Sequence, residues 1–398
     1  MAERLTDMRI TGIVCEYDPF HSGHRYLLDR AREGSDAIVC VMSGNVTQRG
    51  GFAIVDKYAR AEMALCGGAD LVLELPYPYS SASAEFFASA GVSVLASAGV
   101  HRICFGSESG DVEKLRRAAL VTRTLATDGG AASTGSAEGY FSALGEAYLK
   151  TYGEEFCPSS NDILGIEYCK AILGGGYAIE PMAIPRLGDG FRRCEVGDTP
   201  FASATALRKL IRNGSVDAIS PYVPEDTVRL LAEAVARGDA PVDVERLETA
   251  ILSFLRLADP DDLQAIAELG NGLEHRLCEA SKEATSLSEL FSLAATKKYT
   301  DAKIRRAVLF AMTGVTYADL CAPVGYTTVL GANGRGCELL SLLRKREGGI
   351  PVVTKPSEGK NASPRQYALS FAADALFALA HPNRKPAGEW MRKNPIIL

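Results

Sequence analysis

The run Glu16–His24, E-Y-D-P-F-H-S-G-H, constrains this chain more than any other stretch. It follows an apolar segment, Ile10 to Cys15, and opens a helical pattern, Arg25 to Arg32. A strand, a tight loop and a helix start in that order aim free backbone N–H groups at one place, and that place attracts anions. Gly23 lets the backbone come close to a phosphate with no Cβ in the way. His21 and His24 can then present two imidazoles as donors where charge builds during attack at phosphorus. The bland alternative is that the histidines only cap the helix. The position at the first strand–helix junction, where an open parallel sheet holds its ligand crevice, favours the phosphate reading.

The first 215 residues alternate strand-like and helix-like segments. Short Val/Ile/Leu-rich runs occur at 9–15, 37–42, 70–75, 102–105 and 181–184, separated by helical patterns such as 56–66 and 84–98. This alternation predicts an α/β fold, a parallel sheet with right-handed crossovers and helices on both faces. Strand order 3-2-1-4-5 sets the first and fourth strands side by side, so the G-S-E loop after Phe105 falls beside H-S-G-H and Gly106 can lie close to a nucleoside. A helical insertion is expected at about 139–176. Within it, Ser160 or Asn161 is a candidate N-cap, and Asn161 is equally a candidate ligand contact. After Pro185-Arg186, the segment A-S-A-T-A-L-R places Ser203 and Thr205 at a helix start with Arg208 one turn in, a second N-terminus suited to phosphate oxygens.

Beyond Pro221 the strand signals fade. Helical runs are expected at 226–237, 244–257, 261–269, 273–282, 287–295 and 301–312, then a short helix at 337–346 and an extended piece at 351–355. Gly331 to Gly336 resembles a dinucleotide loop only faintly. It reads as a helix-entry turn, with no long buried strand ahead of it. Trp390 is expected to pack the C-terminus down.

Net charge is −6, which argues against a general polyanion binder, yet the charge is uneven. Residues 331–398 carry +6 and the remainder −12. A second basic cluster, Lys297, Lys298, Lys303, Arg305 and Arg306, has only Asp301 against it. Basic clusters on an acidic chain suggest a local nucleic-acid footprint, the alternative being a solvated helix face. The ten cysteines form no C-x-x-C pair and several lie in apolar runs, so they read as buried hydrophobes in a reducing compartment. With no signal-peptide pattern and no apolar run long enough to span a bilayer, a cytoplasmic protein without membrane contact is expected. No metal-ligand cluster is evident. Glu16 and Glu74 end buried strands and need partners. Asp56-Lys57 reads as a helix-start aspartate beside a surface lysine, or as a substrate contact. Ser43-Gly44-Asn45 ends the second strand near the cleft, and Gln48 and Arg49 sit in the following loop. His101, His275 and His381 have no ligand partners and read as structural.

Taken together, G-I-V-C-E-Y-D-P-F-H-S-G-H (12–24), M-S-G-N-V-T-Q-R-G (42–50), A-I-V-D-K-Y-A-R (53–60), G-A-D-L-V-L-E-L-P (68–76), F-G-S-E (105–108), N-D-I-L-G-I-E-Y (161–168), S-A-T-A-L-R (203–208) and K-K-Y-T-D-A-K-I-R-R (297–306) make the chain resemble the bacterial tRNA(Met) cytidine acetate ligases of the H-x-G-H nucleotidylyltransferase superfamily. The likeness spans nearly the full length. Family members usually read E-Y-N-P-F-H-N-G-H; here Asp18 and Ser22 replace the asparagines. The resemblance implies a Rossmann-like catalytic domain over residues 1–215 and a mainly α-helical, tRNA-binding region over 216–398. It implies activation of acetate by ATP as an acetyl-adenylate, then acetyl transfer to the wobble cytidine of elongator tRNA(Met). Carried over, the ATP site comprises Val14, Cys15, Glu16, Tyr17, Phe20, His21, Gly23, His24 and Leu27, with Gly106, Asn161 and Arg186. His21, His24 and Arg208 suit the catalytic charge stabilisation, and Ser203 and Thr205 add neutral donors. Lys297, Lys298, Arg305 and Arg306 are the candidate RNA contacts. Mg²⁺ suits a triphosphate, although no ligand set demands it. Two other readings stand beside this one. An adenylyltransferase making a dinucleotide cofactor is disfavoured by the long helical extension with its basic tail. A non-catalytic RNA-binding protein on a nucleotide fold is disfavoured by the retained histidines and Arg208.

Overall fold

Each of the five apolar runs forms a parallel strand: β1 (Ile10–Cys15), β2 (Ala37–Ser43), β3 (Leu71–Leu75), β4 (Arg102–Ser107) and β5 (Glu180–Pro185). The computed structural model describes residues 8–127, 137–186, 201–346 and 348–398. Helices α1 (Ser22–Arg32), α2 (Lys57–Cys66), α3 (Ala84–Ser97), α4 (Val112–Thr127), α5 (Ala137–Tyr152), α6 (Ser160–Gly175) and α7 (Ala204–Arg212) fill the connections. These strands stand in the order 3-2-1-4-5, so β1 and β4 are neighbours at the switch point. Side chains alternate between the two faces, as the period of a strand requires. Ile38, Cys40 and Met42 face α1, α2 and the later helices, whereas Ala37, Val39 and Val41 face α3, α4 and α6.

The sheet does not stop at β3. The C-terminal region is mainly helical as expected, but it also extends the expected strand order with three short strands: β6 (Thr327–Ala332), β7 (Val352–Val353) and β8 (Ile396–Ile397). β6 pairs antiparallel with β3, and β7 and β8 pair with β6, giving an eight-stranded sheet. Every residue of β6 is buried, so a buried strand does precede the turn at Asn333, contrary to expectation. Its T-T-V-L-G-A sequence is short and broken by Gly331, which hides the pattern. Gly331 is needed because a Cβ there would come within 2.8 Å of Leu65 and 3.1 Å of the Ile396 carbonyl. The helix-entry reading of that turn does hold: Asn333 caps α14, defined below, by accepting from the Gly336 N–H.

The remaining helices are α8 (Glu225–Ala236), α9 (Glu248–Leu257), α10 (Leu273–Glu283), α11 (Leu287–Ala294), α12 (Asp301–Thr313), α13 (Tyr317–Cys321), α14 (Gly334–Leu343), α15 (Gly359–Ala362) and α16 (Pro364–Leu379). The helix expected at 261–269 is only a 3₁₀ turn, Pro260–Leu263. Glu268, Gly270, Asn271 and Gly272 all have positive φ, which no helix accommodates. Trp390 packs as expected, its ring 5.0 Å from Phe377. Among the described residues no helix is long and apolar enough to cross a membrane, and the nine described cysteines are all free.

Two buried cations tie the upper ends of the strands. Arg60, from α2, is fully buried and donates to the carbonyl oxygens of Val55 (3.2 Å), Glu16 (2.6 Å), Ser43 (3.1 Å) and Gly44. It thereby clips the ends of β1 and β2 together. Lys57, taken from sequence as a surface or substrate-contacting lysine, is also buried. Its ammonium pairs with Glu74 (2.7 Å) on β3 and Asp374 (3.1 Å) on α16. Asn45 completes the network, donating to Asp374 (2.8 Å) and accepting from the Lys57 N–H (2.9 Å). Glu74 therefore has the partner its burial demanded.

The guanidinium reaches four carbonyls because its five donors are spread over a planar fork; an ammonium carries three donors on one atom and cannot reach all four. Arg60→Lys should therefore lower the midpoint of urea unfolding nearly as much as Arg60→Met, a loss on the order of 3–5 kcal/mol. A lysine variant with the wild-type midpoint would show that charge alone, not the fork, matters.

Candidate active site

The site grows from the loop between β1 and α1. Tyr17 has φ of +49°, an uncommon conformation for a bulky residue. Packing holds it there: its ring lies 4.9 Å from both Phe20 and His24. The chain then enters α1 through His21, whose Nδ1 accepts from the Gly23 N–H at 3.1 Å. His24 reaches back, its Nδ1 accepting from the His21 N–H at 3.3 Å. The two rings stack with centroids 3.6 Å apart. The capping reading is thus correct as far as Nδ1 goes, and it has a chemical consequence. With both Nδ1 lone pairs occupied by backbone N–H groups, the proton of each neutral ring sits on Nε2, leaving two Nε2–H donors for an anion. Gly23 is required by closeness, since a Cβ would lie 3.0 Å from His21 Cε1.

Burial, then Arg186 and Arg208, pushes His21 down to about 3. Burial, then His21 and Arg186, holds His24 well below the usual imidazole range. Both rings are therefore neutral donors at neutral pH, and the cationic part of the site is supplied by arginine.

The second wall comes from β4, α6 and β5. Gly106 ends β4 beside Arg186; a Cβ there would meet the Arg186 side chain at 3.3 Å. The Arg186 N–H donates to the Ser107 carbonyl at 3.1 Å, and its guanidinium feels the Glu108 carboxylate. Asn161 donates from Nδ2 to Glu108 Oε1 at 2.5 Å. The cap of α6 is Ser159 rather than Ser160 or Asn161: Ser159 and Asp162 form a capping box, so the Asn161 side chain takes no part in the cap and pairs with Glu108 instead. Burial raises the Asp162 carboxyl, but hydrogen bonds from Ser107, Ser159 and Ser109 outweigh it and hold Asp162 low.

The third wall is α7. Ser203 acts as its N-cap, accepting from the Ala206 N–H at 3.2 Å, and Thr205 accepts from Arg208 at 3.2 Å. Arg208 also donates to the Asp18 carbonyl (2.8 Å) and lies 3.4 Å from its carboxylate. Asp18 further accepts from the Ile54 N–H at 2.7 Å. The aspartate that replaces the family asparagine is therefore neutralised and aims Arg208. Ser22, the other replacement, donates to the Tyr222 carbonyl at 2.8 Å, fixing α1 to the following turn.

Not every residue expected in the site offers a side chain to it. Val14 packs toward Gly91, Cys15 and Phe20 are buried in the core, and Leu27 leans on that core. Such residues line the strand–loop–helix with backbone only. Glu16 accepts from the Gln48 N–H at 2.6 Å, and burial first of all raises its carboxyl. Glu108, Asp162 and Arg60 were not singled out as site residues from the sequence, although each lies within a quoted motif. Among the described residues no group of three or more His, Cys, Asp or Glu is placed to hold a metal ion.

The basic cluster is split. Lys297 and Lys298 are exposed, Lys298 donating to the Asn271 carbonyl at 3.1 Å. Arg305 pairs with Asp301 at 2.7 Å and lies 4.3 Å over the Phe291 ring. Arg306 is buried, paired with Glu268 at 2.8 Å. The loop carrying Gln48 joins this region to the cleft: a Cβ on Gly50 would lie 2.5 Å from the Arg306 backbone nitrogen. Of the other histidines, His101 accepts from the Ile10 N–H at 3.4 Å and is structural.

An unfolded histidine titrates near 6.5, whereas His21 stays neutral down to about 3. Between those values the unfolded chain binds more protons, so stability rises with pH and is lost on acidification, by up to about 1.4 kcal/mol per pH unit per histidine. His21→Ala and His24→Ala should each flatten the fall in urea midpoint between pH 6.5 and 4.5. Wild-type slopes in both variants would contradict the neutral-donor assignment.

The family described as HIGH Nucleotidyl Transferase matches residues 8–389. A tRNA(Met) cytidine acetate ligase of Acetivibrio thermocellus is 34% identical over 420 residues, covering 98% of this chain and 100% of the relative. One of Caldicellulosiruptor saccharolyticus is 36% identical over 360 residues, 87% of each chain. The crystal structure of Thermotoga maritima TmcAL bound with alpha-thio ATP superposes with a TM-score of 0.88 at 32% identity, covering 98% of this chain and all of that one. The apo form of the same protein gives 0.91. Matched by the family over residues 8–389, 34–36% identical to these relatives and superposing on a solved structure over 98% of its length, this chain belongs to the tRNA(Met) cytidine acetate ligase family of HIGH nucleotidyl transferases.

Proposed function

We propose that the protein activates acetate with ATP and transfers the acetyl group to the wobble cytidine of elongator tRNA(Met), forming N4-acetylcytidine. The observation that carries this reading is the pair of stacked Nε2–H imidazoles at the start of α1, flanked by Arg186 and Arg208. One acetate oxygen attacks the α-phosphorus, the bond to the β-phosphate breaks, and pyrophosphate leaves. His21 and His24 donate to the triphosphate oxygens as charge moves onto the leaving group, while Arg208 and Arg186 supply positive charge. No proton need move in this half-reaction, which suits histidines held neutral. The cytidine amine then attacks the acetyl carbonyl, AMP leaves with the oxygen that joined acetate to phosphorus, and the nitrogen gives up one proton to the solvent. Mg²⁺ would enter on the triphosphate, since the described side chains form no cation cluster. A cytoplasmic location belongs to the same proposal, supported by the free cysteines.

In the proposed RNA site, Lys297 and Lys298, in the bend between α11 and α12, meet the phosphate backbone, and Arg305 and Arg306 brace α12. Lys297→Ala with Lys298→Ala should weaken tRNA binding and flatten its salt dependence by about two units of slope or less, with adenylation unchanged. A double variant that binds tRNA normally would place the RNA elsewhere.

The central test incubates unmodified tRNA(Met), ATP and acetate labelled with oxygen-18 and reads nucleosides and AMP by mass spectrometry. N4-acetylcytidine and labelled AMP are expected together. His24→Ala should lower both about a hundredfold, the scale of losing one preorganised donor. Acetylated tRNA with unlabelled AMP would rule out the acetyl-adenylate.

A further inference from the structure

We infer that Glu108 is a positioning residue that decides which nucleotide the site accepts, by fixing which end of the Asn161 amide faces the cleft. This rests on the nucleotide-activating reading above and adds to it a selection rule for the nucleoside.

The placement comes first. The phosphate-binding elements, α1 and its two histidines, lie on the β1 side of the switch point. Arg186 bridges the site: it acts electrostatically on both imidazoles and is itself acted on by Glu108. Glu108, just past the end of β4, and Asn161, in the first turn of α6, are paired with each other on the β4 side of the switch point, where an open sheet leaves room for the nucleoside. Gly106, which a side chain would crowd against Arg186, keeps that part open.

The chemistry follows from the donor and acceptor inventory. An ionised carboxylate only accepts hydrogen bonds. Asn161 must therefore turn its NH₂ toward Glu108, as the 2.5 Å contact from Nδ2 to Oε1 shows. Its other end, the carbonyl oxygen, is left for the ligand. Glu108 is held in turn by Ser159, whose hydroxyl donates to Oε2 and which sits rigidly as the cap of α6. The amide cannot flip without setting its oxygen against a carboxylate. The ligand atom that meets Asn161 must then be a donor. An adenosine nucleotide offers two kinds, the 6-amino group of the base and the ribose hydroxyls. A 6-oxo purine offers an acceptor at the base position and is refused there, because two acceptors would be left facing each other once the bound base excludes water. Glu108 touches no reacting atom in this account. Its part is to orient Asn161, with its charge also facing Arg186.

The test measures nucleotide affinity by calorimetry, with no acetate or tRNA, so that it stands whatever the acetyl acceptor proves to be. ATP is compared with inosine triphosphate, 2′-deoxy-ATP and 3′-deoxy-ATP on wild-type protein, Glu108→Ala and Glu108→Gln. Wild type should bind at least one analogue about tenfold or more weakly than ATP; which one identifies the base or the sugar as the donor. Glu108→Ala releases the amide and should narrow that gap to within about threefold. Glu108→Gln keeps the length of the side chain but adds a donor that can pair with the flipped Asn161 amide, so it should narrow the gap as well, by less than Glu108→Ala; a merely structural role would leave the gap unchanged in both. Thermal melting of both variants should match wild type. Wild type binding all three analogues within threefold of ATP would overturn the inference, as would Glu108→Ala keeping the wild-type gap. Failure of the acetate reading looks different: normal ATP discrimination with no acetate-dependent release of pyrophosphate.

Discussion

The Arg60 guanidinium is the interaction on which the site depends. Parallel strands end in carbonyls that have no partner once pairing stops, and here those ends are buried under the crevice they form. Arg60 gathers the carbonyls of Val55, Glu16, Ser43 and Gly44 around one planar cation. Glu16 then bonds the Gln48 N–H, and Asp18 bonds the Ile54 N–H, so the loops after β1 and β2 hold each other. Burial lowers the Arg60 pKa, and the nearby Asp18, Glu16 and Asp56 carboxylates oppose that loss. The clip fixes the Glu16 carbonyl, one residue before Tyr17, so it works together with the packing of Tyr17 on Phe20 and His24 to set the path by which the chain enters α1.

Charge is arranged in layers around this point. The imidazoles are kept neutral and are oriented by backbone; the positive charge stands behind them on Arg186 and Arg208. Asp18 shows how such a layer tolerates a carboxylate: its oxygens are taken up by Arg208 and a backbone N–H.

Much of the parallel half was legible in the sequence because its signals are local. Strand length, alternation with helices and H-x-G-H at a junction are all read within a few residues of each other, and all five strands and the switch point follow from them. What escaped depends on contacts distant in sequence. Lys57 looked like a surface lysine because its partners lie at Glu74 and Asp374. β6 was hidden by Gly331, whose reason is the approach of Leu65 and Ile396. Ser159 took the cap expected of Ser160 or Asn161, because Asp162 completes a box that only the three-residue spacing reveals. Arg306, one of four basic residues that looked alike, is set apart by Glu268, whose positive φ also ended a helix that periodicity alone would have continued.

The antiparallel pairing of β6 with β3 has a consequence for the chain as it is made. A ribosome adding about 5–20 residues per second completes β3 and then works for tens of seconds before β6 emerges. Throughout that interval L-V-L-E-L is an apolar edge with unpaired backbone groups, a template for any neighbouring nascent strand. Glu74 sits inside it as the one charge, and Lys57 is already available as counterion, whereas Asp374 arrives last. The carboxylate that serves the finished protein as half of a buried ion pair is, during synthesis, the gatekeeper of its own exposed edge.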